Sequence, residues 1–329
     1  MSGTSVHNPL TFAVLRRLAD GEFHSGESLA RQFDVARTTV HNALQDVAQY
    51  GLVLHRVRGR GYQLVAPFEW LDVGQIEAQL DEARGSLQID LLDHATSSNA
   101  LLLQRAGQGA ASGSVLAVEW QSAGRGRLGR TWQSGLGGAL TFSVLWRFES
   151  GLAALSGLSL AVGVAMVRAL HELGVQGVSL KWPNDVLLGE GKLAGILLEA
   201  QGDMLGPSAV VIGIGLNLRL SPQARERIDQ MASDFSALQT PAGRNQVLAV
   251  SLKHLLRVLR EFTQHNFIQL REEWERYNSF QQRVVKVSSP DGTVVWGKML
   301  GVTKEGALRL ETEQGERIFN SGEVSLRGG

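Results

Sequence analysis

The chain has 329 residues, 43% of them hydrophobic, and its 32 lysines and arginines are balanced by 32 aspartates and glutamates. That length supports two or three domains with real cores, and the charge balance excludes a whole-molecule field that draws in nucleic acid, so any such contact has to be local. The absence of cysteine excludes disulfides, thiolate metal sites and a cysteine nucleophile, and fits a reducing cytoplasm. No signal peptide is expected, and the most apolar stretch, residues 155–167, contains glycines and serines and is shorter than the roughly 20 residues a membrane helix needs.

Residues 10–18 carry Leu10, Val14, Leu15 and Leu18 at helical spacing. Ser25 and Ser28 are capping candidates for a second helix through Phe33. A third helix follows, in which Val40, Leu44 and Val47 face inward while Arg37, Thr38, Thr39, His41, Asn42 and Gln45 face out. Residues 52–57 and 62–65 then flank Arg58-Gly59-Arg60-Gly61 as a hairpin. Residues 1–66 therefore read as a winged helix-turn-helix: the outward polar residues suit bases and phosphates, and Arg58 and Arg60 suit a wing that tracks the minor groove. The first 65 residues hold seven arginines against five acids, with three of the seven at the wing. A winged-helix module that contacts protein is the competing reading.

Residues 67–85 read as a connector with one polar helix at 73–83. Residues 86–278 alternate: a helix from Ser97-Ser98-Asn99, strands at 114–120 and 139–146, and a long helix at 152–173 stopped by Gly174. Strands are expected at 178–182, 186–188, 192–199 and 208–218, with Pro183-Asn184-Asp185 and Gly189-Glu190-Gly191 as turns. Turns that short require antiparallel pairing, which gives an α+β domain on a mixed sheet. Helical patterns return at 222–233 and 245–277, and residues 279–329 are short strands with hairpin signals at Asp291-Gly292, Glu305-Gly306 and Gln314-Gly315.

The segment Gly124-Arg125-Gly126-Arg127-Leu128-Gly129-Arg130, closed by Trp132, puts three guanidinium groups and three glycines into seven residues, the makings of a loop that wraps a polyanion. It also spells G-x-G-x-x-G, but Thr131, Trp132, Gly135, Gly137 and Gly138 make a poor helix, so the dinucleotide reading lacks its context. A non-specific nucleic-acid patch is the other reading of an Arg-Gly run. Three more segments follow in order: Lys181-Trp182-Pro183-Asn184-Asp185, Lys192-Leu193-Ala194-Gly195 and Gly213-Ile214-Gly215-Leu216-Asn217.

Together the four segments resemble the biotin protein ligases, and more narrowly those that double as the biotin operon repressor, over nearly the whole chain. The resemblance implies a small SH3-like β-barrel at the C-terminal end. It implies an enzyme that makes biotinyl-5′-adenylate from biotin and Mg2+-ATP, then passes biotin to a lysine of the biotin carboxyl carrier protein of acetyl-CoA carboxylase. It further implies repression of biotin synthesis genes, with the adenylate as corepressor favouring a homodimer on two-fold operator DNA, all in the cytoplasm and away from membranes. Lys192 is assigned to the biotin carboxylate and α-phosphate, and Arg125 and Arg127, with Gly124 and Gly126, to a closing loop that holds the adenylate. Ser97, Ser98, Asn99 and Gln121 match the ureido-binding positions, while Gly195 and Gly213 keep the pocket floor open. Trp132 is the candidate lid on adenine, with Asn184, Asp185 and Asn217 near the nucleotide; no protein metal site is implied.

Two positions depart from the family pattern. Ser98 stands where threonine is more frequent, and Leu128 where an arginine is common, so no third charge is expected at that point. Plainer roles compete: Ser97 and Ser98 as helix N-caps, Asp185 as a turn residue, Lys192 as a surface lysine, Trp182 in the core. A winged-helix regulator that senses a small molecule without catalysis, and a lipoate or octanoate ligase, are the rival functions.

Overall fold

The structure, a computed structural model, describes residues 9–133, 135–238, 242–289, 292–320 and 325–328. Three short helices open the chain, α1 (Pro9–Leu18), α2 (Gly26–Gln32) and α3 (Arg37–Ala43), followed by the hairpin β1 (Leu54–Val57) and β2 (Gly61–Leu64). Val40, Leu44 and Val47 are buried, but α3 stops at Ala43, and a separate 3₁₀ turn at Val47–Tyr50 brings Val47 and Tyr50 inward. Gly61 has φ +101°, and a Cβ there would lie 2.0 Å from the His24 carbonyl oxygen, so the base of the wing needs glycine.

The polar helix expected at 73–83 is shorter. Asp72 caps α4 (Val73–Glu77) by accepting from the Gln75 N–H, and a 3₁₀ turn at Asp81–Ala83 follows instead of a second helical turn. Next come β3 (Gln88–Ala95), α5 (Ser98–Gly107) and β4 (Ser114–Gln121), with β3 parallel to β4 across the α5 crossover. β3 has no counterpart among the expected strands: Asp90, Asp93 and His94 interrupt its apolar alternation, and Asp90 pairs with Arg105 and Asp93 with Arg16.

The long helix expected at 152–173 follows β5 (Ala139–Phe148) and is split. A 3₁₀ turn at Leu152–Leu155 leads to Gly157, at φ +83°, before α6 (Leu158–Glu172). Apolar and long enough by composition to cross a membrane, this segment instead buries eleven of the fifteen α6 residues inside the protein. Then come β6 (Val178–Lys181), β7 (Asp185–Leu188), β8 (Gly191–Gly202) and β9 (Ser208–Asn217), completing a seven-stranded mixed sheet in the order β3-β4-β5-β9-β8-β7-β6. Only a short helix, α7 (Pro222–Glu226), occupies the 222–233 region, and the 245–277 pattern breaks at Asn266 (φ +54°) into α8 (Arg244–His265) and α9 (Arg271–Tyr277). One face of the sheet packs against α6 and α8, the other against α5.

The C-terminal strands β10 (Val284–Ser288), β11 (Val294–Val302), β12 (Leu308–Thr312), β13 (Gly315–Phe319) and β14 (Ser325–Gly328) form an antiparallel sheet in the order β13-β12-β11-β10-β14. The two edge strands do not pair among the described residues, so the expected barrel is seen here as an open sheet. Glu305-Gly306 falls between β11 and β12, and Gln314 lies in the β12–β13 turn with Gly315 opening β13; Asp291 lies outside the described residues. The inner residues Val285, Val287, Met299, Leu308 and Leu310 join the central core, and Trp182, buried as expected, donates its indole N–H to the Gly306 carbonyl at 3.1 Å.

Candidate active site

A cavity of about 750 Å³ opens on the sheet between the end of β4, the arginine loop, the β6–β7 turn, β8, β9 and the 227–230 segment, with Leu326 of β14 at its edge. Ser97, Ser98, Asn99, Gln121, Arg125, Gly126, Arg127, Trp132, Asn184, Asp185, Lys192, Gly195, Gly213 and Asn217 all line it. Residues up to 120 positions apart in the sequence thus converge on one space. Gly124 stands just outside, where its carbonyl accepts from the Trp132 N–H at 2.9 Å and ties the two ends of the loop together.

The arginine loop is held at three points. Arg125 Nη2 donates to Glu199 Oε2 at 2.9 Å, Arg127 Nη1 donates to Asn184 Oδ1 at 3.2 Å, and the Gly126 N–H donates to the Arg130 carbonyl at 2.7 Å. Leu128 sits at the tip with φ +55° and its side chain exposed. Burial pushes the Arg127 guanidinium below its ordinary value, Asp185 opposes that, and Arg130 adds to it, so the loop concentrates positive charge that a bound anion relieves.

Lys192 Nζ pairs with Asp185 Oδ1 at 2.6 Å on the cavity wall. Its backbone is fixed by a strand-like segment: the Lys192 N–H donates to the Met231 carbonyl at 2.8 Å, and the Ser233 N–H donates to the Lys192 carbonyl at 3.0 Å. Asn217 spends its Nδ2 on the Lys192 and Ser233 carbonyls, and its Oδ1 is buried without a partner among the described residues. Trp132 lies flat on the glycines of β8 and β9. A Cβ at Gly215 would come within 2.4 Å of its ring, and one at Gly195 within 3.2 Å. Its Nε1 too is buried without a partner among the described residues, and Lys192 Nζ stands 5.8 Å from the ring centre.

At the other end, Ser97 caps α5 through the Ala100 N–H, and the Ser98 N–H donates to Gln121 Oε1 at 2.7 Å. Asn99 Nδ2 donates to the Leu197 carbonyl at 3.2 Å and to Glu199 Oε2 at 3.0 Å; its Oδ1 lies 2.6 Å from Ser143 Oγ, which is 2.7 Å from Ser98 Oγ. Gly213 is required beneath this group, because a Cβ there would lie 2.1 Å from Asn99 Oδ1. Ser143, Glu199, Thr141 and the 227–230 segment are not among the expected site residues, and Gly215 was expected only as part of the 213–217 motif. Ser143 and Glu199 look like ordinary strand residues until β5 and β8 bring them to Asn99.

In the N-terminal unit Arg37, Thr38, His41 and Asn42 are exposed on α3 and Thr39 is half-buried. His41 Nδ1 lies 3.2 Å from the Tyr62 hydroxyl. Arg58 and Arg60 are exposed on the wing, Arg60 stacking over Phe23 at 4.0 Å, whereas Arg56 is drawn inward to the Leu44 carbonyl at 2.5 Å. Tyr50 joins this unit to the site's own supports. Its ring meets Trp120, one residue before Gln121, edge-on at 4.8 Å, and its carbonyl accepts from the Leu136 N–H at 2.8 Å.

Comparison with known proteins agrees in order and extent. The biotin/lipoate A/B protein ligase family profile matches residues 93–217, the biotin protein ligase C-terminal domain residues 283–327, and an HTH domain residues 11–63. The bifunctional ligase/repressor BirA of Salmonella typhimurium is 36% identical over 99% of this chain and 99% of its own length. The biotin--[acetyl-CoA-carboxylase] ligase of Mycobacterium tuberculosis is 34% identical over 77% of this chain and 95% of its own. Among solved structures, biotin protein ligase from Aquifex aeolicus in complex with biotin and ATP shares 31% identity with a TM-score of 0.63, covering 74% of this chain and 99% of that one. The chain belongs to the biotin protein ligase family, among the bifunctional ligase/repressors that carry an N-terminal helix-turn-helix.

Proposed function

We propose that the cavity joins biotin to ATP and passes the biotinyl group to a carrier lysine, and that the helix-turn-helix represses biotin synthesis genes when the adenylate is bound. The observation that carries this reading is the convergence, in one cavity, of a cationic rim with a polar end lined by Ser98, Asn99 and Gln121. Joining a carboxylic acid to an amine in water requires an activated acyl group, and bringing carboxylate to triphosphate is opposed by charge. A biotin carboxylate oxygen attacks the α-phosphorus, the bond to the β-phosphate oxygen breaks, and pyrophosphate leaves. The carrier amine then attacks the carbonyl carbon, AMP leaves, and the amine loses a proton to give the amide.

Lys192, oriented by Asp185 and by its backbone bonds to residues 231–233, is the point charge shared between the carboxylate and α-phosphate. Arg125 and Arg127 close over the adenylate by leaving Glu199 and Asn184. Trp132 gives the ligand a flat apolar wall, and its buried Nε1, with Asn217 Oδ1, is a donor and acceptor for the nucleotide, since buried polar atoms without partners are costly. Mg2+ enters with ATP as the counter-ion of its phosphates. Residues 1–66 form the DNA-reading unit through Arg37, Thr38, Thr39, His41, Asn42, Arg58 and Arg60. Residues 67–85 connect it to the catalytic unit, 86–278, and residues 279–329 complete the site's edge. The carrier is the biotin-bearing subunit of acetyl-CoA carboxylase, the compartment is the cytoplasm, and the adenylate-bound form pairs as a homodimer on operator DNA.

The chain, incubated with biotin, Mg2+-ATP and a biotin-acceptor domain, should add one biotinyl group to one acceptor lysine by mass spectrometry, and none without ATP. Transfer of octanoate in preference to biotin would move the assignment to an acyl ligase; transfer of neither would leave a sensor.

A further inference from the structure

We propose that Ser143 and Glu199 set the ring specificity of the site by fixing Ser98 as a hydrogen-bond acceptor; this rests on the reading that the cavity takes biotin. The Leu197 carbonyl and the Glu199 carboxylate only accept, and both face Asn99 at 3.2 and 3.0 Å, so the Asn99 NH₂ is turned toward them and its Oδ1 toward Ser143. Asn99 Oδ1 also only accepts, so it takes the single Ser143 proton across 2.6 Å. Ser143 Oγ then has only lone pairs for Ser98, which donates its proton across 2.7 Å. The Ser98 oxygen is left presenting lone pairs to the cavity it lines.

Gln121 is fixed in the same way. The Ser98 backbone N–H can only donate, so Gln121 Oε1 faces it at 2.7 Å and Nε2 is the end left to donate. This acceptor and this donor match the N–H and C=O of a cyclic urea, whereas a plain acyl chain satisfies neither and leaves the buried Ser98 oxygen unpaired. Glu199 has a second task in this structure, because the same Oε2 accepts from Arg125 at 2.9 Å. The ring end of the site and the arginine loop therefore share one carboxylate oxygen. Ser143 is completely buried and touches the ligand only through Ser98 and Asn99, which makes it a positioning residue.

The test is Ser143→Ala in the full chain. With the acceptor for Ser98's proton gone, Ser98 can turn that proton toward the ligand N–H. The biotin Kd by calorimetry should rise about ten- to hundred-fold, the span expected for a mispaired buried group. The KM for ATP should stay within about twofold, since the substitution leaves Trp132 Nε1 and Asn217 Oδ1 as they are. The preference for biotin over octanoate should fall by the same factor as the affinity. Ser143→Cys, a weaker donor of nearly the same size, should fall between, and Glu199→Gln should lose less, because the Leu197 carbonyl still holds Asn99. An unchanged biotin Kd in folded Ser143→Ala would overturn the relay. So would equal losses for biotin and ATP with a lowered Tm that Ser143→Cys does not recover, which would mark Ser143 as packing. If the unmodified chain binds no biotin, the functional reading falls and this one with it.

Discussion

At the scale of single residues, the Lys192–Asp185 pair separates chemistry from structure. The two groups stand 2.6 Å apart with side chains 18% and 15% exposed, so removing the lysine strands a carboxylate in a mostly buried position. Lys192→Ala should cut adenylate synthesis on the order of 10²–10³-fold, the loss seen when one preorganised transition-state donor is removed. Part of any lowering of Tm should be regained in Lys192→Ala with Asp185→Asn, while activity should not return; near-wild-type synthesis in either would remove Lys192 from the chemistry. Lys192, Arg125, Arg127 and the Ser97–Asn99 run were singled out through the resemblance that four ordered segments carry, and the fold brings all of them to one cavity. Ser143 and Glu199 were not, since their meaning lies in pairings across the sheet that no local pattern contains.

At the scale of elements, the arginine loop and the 219–234 segment hold the cavity from two sides. The loop's arginines reach Glu199 through an ion pair and Asn184 through a hydrogen bond, contacts that can be exchanged for those of a charged ligand. Replacing Arg125 and Arg127 with glycine should therefore speed release of labelled adenylate in a pulse-chase about tenfold or more while leaving Tm within a few degrees. Unchanged release from a folded variant would return the loop to the nucleic-acid reading.

The opposite segment closes at its base on Asp234, which accepts from the Leu220 N–H at 2.6 Å, the Ser236 N–H at 3.0 Å and Arg225 at 2.7 Å. Burial pushes the Asp234 carboxyl up, but the bonds from Ser236 and Leu220 and the charge of Arg225 outweigh it and hold it below its ordinary 3.8. A depressed carboxyl contributes stability that is present above the unfolded value and lost as pH falls through the folded one. Asp234→Asn should thus be less stable than the parent at pH 7, with the gap closing below about pH 3.8; a gap constant with pH would place the effect elsewhere. These elements also mark the limits of sequence reading. Periodicity found α1, α6 and α8, but not the break at Gly157, packed against Phe267, or the end of α7 at Glu226, beyond which residues 231–233 pair with Lys192.

At the scale of the whole molecule, the winged helix is seated on the catalytic unit through Tyr50, Trp120 and Leu136 and through the Arg16–Asp93 pair, next to both feet of the arginine loop. The fold class was readable from the helix and strand pattern and the resemblance, whereas this seating was not, because a contact between Tyr50 and Trp120, 70 positions apart, leaves no local pattern. On DNA, Arg58→Ala and Arg60→Ala should weaken binding to all sequences alike and reduce the salt slope by about one unit each, as lost phosphate contacts do. Thr38→Ala or Asn42→Ala should instead narrow the gap between operator and random DNA, by about 1–3 kcal/mol if each reads a base edge. Binding that depends on α3 but not on salt would contradict the wing's role. The most direct test of the central claim needs no carrier and no DNA: exchange of labelled pyrophosphate into ATP. A site that reversibly forms biotinyl-adenylate predicts exchange that appears only when biotin is present and is largely abolished by Lys192→Ala; no biotin-dependent exchange in the folded protein would contradict it.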